Sequence, residues 1–197
     1  MSAHPIYATI SDDLRRSRLT VFFRLLLVIP HMVWVFLWVL PVVVCFLINW
    51  FVTLFAGRPA QGLHNFVAAY VRYQAHLYAY LTLVANPFPG FVGKAGSYPF
   101  DVVIGPPERQ NRWKTFFRIF LAYPALLVGG MLSYALLLAT MLAWFAALFT
   151  GVMPRGLRNL NAYILHYTAQ SNSYMFLLTD RYPNSDPFAM LAPADVA

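Results

Sequence analysis

Two stretches of the chain contain no Asp, Glu, Lys or Arg: the residues between Arg24 and Arg58, and those between Arg118 and Arg155. Runs of about 18 or more apolar residues without charge read as membrane spans. Each runs to a glycine, Gly57 or Gly151, at the position of a helix C-cap. A more polar helical stretch follows each, over 62–85 and 156–179. These end at Asn86-Pro87-Phe88-Pro89 and at Asp180-Arg181-Tyr182-Pro183. A basic amphipathic stretch precedes each apolar run, over 14–29 and 108–123. Before that comes a short extended segment, 5–10 or 99–104, opened by Pro5 or Pro99 and continued by β-formers such as Val102-Val103-Ile104.

The pattern is a duplication. Sliding the chain by 94 residues aligns 4–89 with 98–183 without a gap, and 23 of the 86 pairs are identical. Chance in so apolar a chain gives about 7. The matches cluster: Arg18, Phe22, Phe23, Arg24, Leu27 and Pro30 repeat as Arg112, Phe116, Phe117, Arg118, Leu121 and Pro124. Residues 1–93 form the first unit, 94–183 the second, and 184–197 a Pro- and Ala-rich tail expected to be flexible.

Length constrains the topology. The 33 residues between Arg24 and Arg58 make one helix of about 50 Å, against a hydrocarbon core of about 30 Å. Pro30 and Pro124 interrupt helical hydrogen bonding at matching places, so residues 19–29 are expected to form an interfacial elbow helix. Duplicate flanking charges imply that both units face the same side, so each crosses an even number of times. Two schemes satisfy this. In one, the elbow precedes spans at 31–57 and 62–85. In the other, 19–57 folds as a hairpin and 62–85 lies on the surface. The first is the expectation: an all-α integral membrane protein of two tandem parallel repeats, each a short extended segment, an elbow helix and two long helices, with about four transmembrane spans. Its weakness is that Arg58, Arg155 and Arg158 then face the far side. Parallel repeats also imply a pseudo-two-fold axis along the membrane normal, and the two extended segments are expected to pair into a small sheet.

Composition agrees. The chain is 60% hydrophobic and 11% charged, against about 25% charged in soluble domains. Its 14 Lys and Arg outnumber 7 Asp and Glu, and the cations crowd the ends of the apolar runs. Such cations anchor the chain to anionic headgroups, and no separate basic face exists for nucleic acid. The polar first 18 residues and the lack of a small-residue cleavage site predict no signal peptide. The expected location is the bacterial inner membrane, multi-pass, with both termini cytoplasmic.

The candidate site is a polar stripe on the second helix of each unit: Asn65, Arg72, His76 and Tyr80, then Asn159, His166, Gln170 and Tyr174. It either lines a pathway or headgroup pocket between helices, or is the wet face of an interfacial helix. Arg18, Arg24, Arg112 and Arg118 are candidate contacts to anionic lipid, their stems snorkelling along the apolar run. The histidines have no metal-ligand spacing, Cys45 reads as a small buried hydrophobe, and no nucleophile, phosphate-loop or paired-carboxylate motif is present. No catalytic residue, metal or cofactor is therefore expected. Trp38 falls within an apolar run and is expected to pack on a helix or lipid. Gly129-Gly130, Ala135, Ala139 and Ala143 form a close-approach face.

The motifs Phe22-Phe23-Arg24 with Ile29-Pro30-His31, Trp50-Phe51 with Leu54-Phe55-Ala56-Gly57-Arg58-Pro59, Arg72-Tyr73 and Asn86-Pro87-Phe88-Pro89 resemble a bacterial membrane-protein family classed as a domain of unknown function. The resemblance covers nearly all of 5–183. The second copy departs from it, with Ala125 for His31 and His166 for Arg72. It implies a bacterial membrane location and carries no functional residue across. The expected function is a non-catalytic membrane subunit or scaffold that binds other membrane proteins or its own copies. The alternatives are a small channel or lipid-handling protein and, behind these, a lipid-modifying enzyme.

Overall fold

The computed structural model describes residues 4–185. The elements run β1 (Ile6–Ile10), α1 (Arg18–Ala56), α2 (Gln61–Leu81), β2 (Phe100–Ile104), α3 (Arg112–Phe116), α4 (Arg118–Thr150) and α5 (Arg155–Met175). The duplication is visible throughout, and the extended segments are the two strands of one antiparallel sheet.

The elbow is a point of correction. In the first unit α1 is one helix of 39 residues, with Pro30 and Pro41 inside it. In the second unit a break does occur, but at Phe117 between α3 and α4, and Pro124 lies within α4. A proline removes a single helical hydrogen bond. With apolar surroundings offering no other partners for the remaining bonds, the helix continues through it. Gly57 and Gly151 do cap α1 and α4, each with φ of 74° and its N–H on the carbonyl four residues back. Asn111 caps α3, its side-chain oxygen accepting from the N–H of Trp113 and Lys114.

Burial sorts the helices into layers. α2 and α5 form the core, and α1 and α4 flank them. α1 buries a narrow stripe that includes Val21, Arg24, Val28, His31, Val42, Phe46, Asn49 and Thr53. The rest of its surface, from Leu19 to Phe55, is exposed and apolar, as is most of α4. Only 17% of the most apolar window of either helix is buried. Two helices of the described residues, α1 and α4, are long and apolar enough to cross a membrane. The four spans expected from the sequence reduce to these two candidates. α2 and α5, 21 residues each, are covered by protein and too polar to qualify.

The two units are related by a pseudo-two-fold axis across the helices. Trp50 donates its indole N–H to Thr115 O at 2.8 Å, and its duplicate Trp144 donates to Val21 O at 3.0 Å. Val21 is the duplicate of Thr115. The start of α1 therefore lies beside the end of α4, and the reverse. Asn161 near the start of α5 reaches Thr82 at the end of α2, while Phe176 at the end of α5 packs on Tyr70. Both helix pairs run antiparallel. Parallel repeats and membrane-crossing helices consequently exclude each other in this fold.

Candidate functional site

Four of the eight stripe residues come together beneath the strand pair. From α2, Arg72 donates Nε–H to Val102 O at 3.1 Å and Nη1–H to Gly93 O at 3.0 Å. His76 Nε2 lies 2.8 Å from Asp101 Oδ1, and Arg72 Nε lies 3.7 Å from the same oxygen. From α5, Gln170 donates to Ile6 O at 2.8 Å, and His166 Nε2 lies 3.4 Å from that carbonyl. Each strand therefore rests on the helix of the other unit: β2 of the second on α2 of the first, β1 of the first on α5 of the second.

Electrostatics follow from this placement. Burial pushes the Asp101 carboxyl up, but hydrogen bonds from His76 and the Gly96 N–H, with the charge of Arg72, outweigh it and hold the group below its ordinary value. His166 has no acid at hand, and burial pushes it down to about 4. It is a neutral imidazole at pH 7. Asp101 is a partner that the sequence reading passed over. Its signal was faint: one acid inside a run of β-formers.

The remaining stripe residues separate from these four. Asn65 and Asn159 are exposed at the starts of α2 and α5, accepting hydrogen bonds from Gln61 and Arg158. Tyr80 and Tyr174 lie under buried arginines, with the guanidinium carbon of Arg24 or Arg118 4.2 Å from the ring centre. The stripe thus makes a clasp and two ring contacts rather than one continuous seam.

The lipid-contact arginines divide the same way. Arg18 and Arg112 are exposed. Arg24 and Arg118 are 1% and 0% exposed, which corrects their reading as snorkelling residues. Arg24 donates to Tyr80 O, Ala85 O and Asn86 Oδ1. Arg118 donates to Thr179 O, Gln110 Oε1 and Asp180 Oδ1. A guanidinium carries five N–H donors, and here they gather the carbonyls freed where α2 and α5 end. Leu83 and Leu177 turn the chain there at φ of 62° and 63°.

His31 sits against Tyr73 O–H at 2.7 Å and stacks on Phe91. Trp38 packs on Phe66, Tyr70 and Tyr73 of α2, the helix contact expected of it. Of the small-residue face, Ala139 and Ala143 are buried, whereas Ala135 and Gly130 are exposed. Among the described residues no group of three His, Cys, Asp or Glu comes together to hold a metal ion.

These features define a class: a duplicated, strand-clasped helical protein with two long apolar flanking helices. The chain belongs to the family described as Domain of unknown function (DUF4389), whose model matches it twice, over residues 18–92 and 112–186. Both strands lie outside the matched segments. No curated protein and no solved structure matches the chain.

Proposed function

We propose that this protein is a non-catalytic membrane scaffold, held by α1 and α4 lying along one face of the bilayer, with the strand clasp turned to water. The observation that carries the reading is the position of the strand pair. β2 meets α2 at Arg72 and His76, level with the central turns of α1, where His31 and Trp38 contact Tyr73. Were α1 and α2 to cross a bilayer, an open two-stranded sheet with Asp101 would sit near its middle. Unpaired sheet edges are not tolerated in hydrocarbon.

Two further facts support helices lying along the membrane. Cations stand at both ends of the apolar runs: Arg18 and Arg58 around α1, Arg112 and Arg155 around α4. They meet headgroups on one side only if neither helix crosses. Equivalent flanking charges also ask both units to face the same way. Antiparallel α1 and α4 satisfy that when the pseudo-two-fold axis runs along the membrane normal. The arrangement is neither topology drawn from the sequence: α1 is one continuous helix rather than a hairpin over 19–57, and in this reading it does not span.

A scaffold role fits the use of the buried polar groups. Arg72, His76, Asp101, Gln170, Arg24 and Arg118 all tie one part of the chain to another. The apolar face of α1 and α4 is far larger than a soluble monomer exposes, and it offers other membrane proteins, or a second copy, a surface within the bilayer.

Labelling tests the embedding. On a Cys45→Ala background, Ser17→Cys and Arg58→Cys place thiols at the two ends of α1. In sealed membranes an impermeant maleimide should reach both from one side. Labelling from opposite sides would show that α1 crosses. Gentle extraction followed by native mass spectrometry tests the scaffold role. A stoichiometric protein partner or homo-oligomer supports it, and a bare monomer from its own membrane opposes it.

A further inference from the structure

One difference between the two halves of the bundle opens a space. Phe46 of α1 packs edge-on against Phe176 after α5, with ring centres 5.8 Å apart. The duplicates of these residues are Thr140 and Thr82. Where the first pair fills space, the second lines a cavity of about 740 Å³ between α1, α2, α4 and α5. That volume lies within the range of small-molecule sites, about 300–1,000 Å³. Its walls are mostly apolar, with Leu136, Trp144 and Leu165 among them. Leu25, Leu137 and Met141 also line it and are exposed, so the cavity meets the surface within the apolar face.

The asymmetry extends to charge. Arg118, on the filled side, pairs with Asp180 at 3.2 Å. Its duplicate Arg24 lines the cavity, and the duplicate of Asp180 is the neutral Asn86. Among the described residues no carboxylate lies within ion-pair distance of Arg24; its buried Nε–H, like that of Arg118, has no partner. Asn161 lies behind the lining residues Thr82 and Thr140. It is 0% exposed, donates to Thr82 O at 2.9 Å and lies 3.4 Å from Thr140 Oγ1, and its own oxygen is unpartnered.

We infer that this cavity binds one long hydrocarbon chain ending in an anionic group, with Arg24 as its counter-charge. A free fatty acid has that chemistry, and so does one acyl chain of an anionic phospholipid together with its headgroup. The site goes beyond the scaffold reading, and its test in detergent solution does not depend on how the helices lie in a membrane.

The test is native mass spectrometry of the full chain in a non-ionic detergent, titrated with palmitate, dipalmitoyl phosphatidylglycerol, dipalmitoyl phosphatidylcholine or hexadecanol. One palmitate or one phosphatidylglycerol should bind per chain, at least tenfold more tightly than phosphatidylcholine. Binding of both names the free acid as sufficient, and binding of phosphatidylglycerol alone makes the source a phospholipid. Thr82→Phe with Thr140→Phe installs the pair that the other half already accommodates, and should abolish binding. Asn86→Asp gives Arg24 the carboxylate that Arg118 has. It should weaken anion binding at least tenfold while leaving hexadecanol unchanged, and it serves should the double variant not fold. Absence of binding to the unaltered chain, equal binding of phosphatidylcholine, or anion binding unchanged by either variant overturns the inference.

Discussion

Ala8 and Val102 face each other across the strand pair, and each is the other's duplicate. The pseudo-two-fold axis therefore passes between them, and the rest of the ladder is symmetric about that pair. A lone two-stranded sheet is marginal in water. Here it persists because each strand is clasped by the helix of the opposite unit, so neither repeat is complete alone. The strands exchange partners across the duplication.

The clasp is the first point to break. Asp101 is 4% exposed and takes hydrogen bonds from His76, Gly96 and Val102. Asp101→Asn leaves the half-buried Arg72 without its counter-charge. Breaking a buried pair costs about 3–5 kcal/mol, and the value here should fall toward the lower end because Arg72 is partly exposed. Thermal unfolding in detergent should show the loss. Hydrogen exchange should rise in both β1 and β2, since the two share one ladder. Increased exchange in β2 alone would mean that β1 is held independently.

Acid should weaken the other half of the clasp. His166 has a folded-state value of about 4 against 6.5 when unfolded. Between those values the unfolded chain binds the extra proton, so stability rises with pH across the window and falls as pH drops from 6.5 toward 4. The His166 share is at most about 3 kcal/mol, from 1.36 kcal/mol per unit. His4 and His64, also lowered by burial, add to the same slope. His166→Gln should flatten the stability profile over this window without removing the slope entirely. An unchanged profile would mean that His166 is reached by water in the folded state.

The strands were legible in the sequence because Pro5 and Pro99 open β-forming runs at duplicate positions, and their pairing followed from the repeat. The continuity of α1 was not, since a proline reads as a break until its surroundings are known. Arg24 and Arg118 misled for a related reason. An arginine one turn inside an apolar run looks the same whether it snorkels outward or turns inward to carbonyls. Only the chain end folding back at Ala85 and Thr179 decides it. His76 was visible, but its partner Asp101 lies on a strand from the other unit. Thr82 and Thr140 gave no signal at all. They acquire meaning only when set beside Phe46 and Phe176 in space.

Gly93 marks a close approach that no side chain fits. A Cβ there would fall 1.8 Å from Ala69 O and 2.7 Å from Tyr73 N, both backbone atoms of α2. Its carbonyl also accepts from Arg72. Gly93→Ala must lift the 82–99 connection off α2, loosening the Arg72 contact and, through it, the hold on β2. Overpacking costs about 1–3 kcal/mol, occasionally more, and backbone cannot yield as a rotamer can. The substitution should lower the unfolding midpoint and expose the 90–96 segment to limited proteolysis. Gly90→Ala, with open space around it, should do neither. Equal behaviour of the two would show that the connection does not rest on α2.

The reciprocal tryptophans test whether the two units contribute equally to holding the fold together. Trp50 bonds Thr115 O and Trp144 bonds Val21 O, each across the unit boundary and at opposite ends of the helix pair. Phenylalanine keeps most of the ring and removes the donor. Each substitution leaves one carbonyl without that bond, at a cost of about 1 kcal/mol. Trp50→Phe and Trp144→Phe share no partner, so their effects should add to within about 0.5 kcal/mol in the double variant. The Trp144 value should be the more variable, because that ring also lines the cavity. Its cost should change when palmitate is present, whereas that of Trp50 should not. A double variant much less stable than the sum would mean that the two ends of the bundle open together as one cooperative unit.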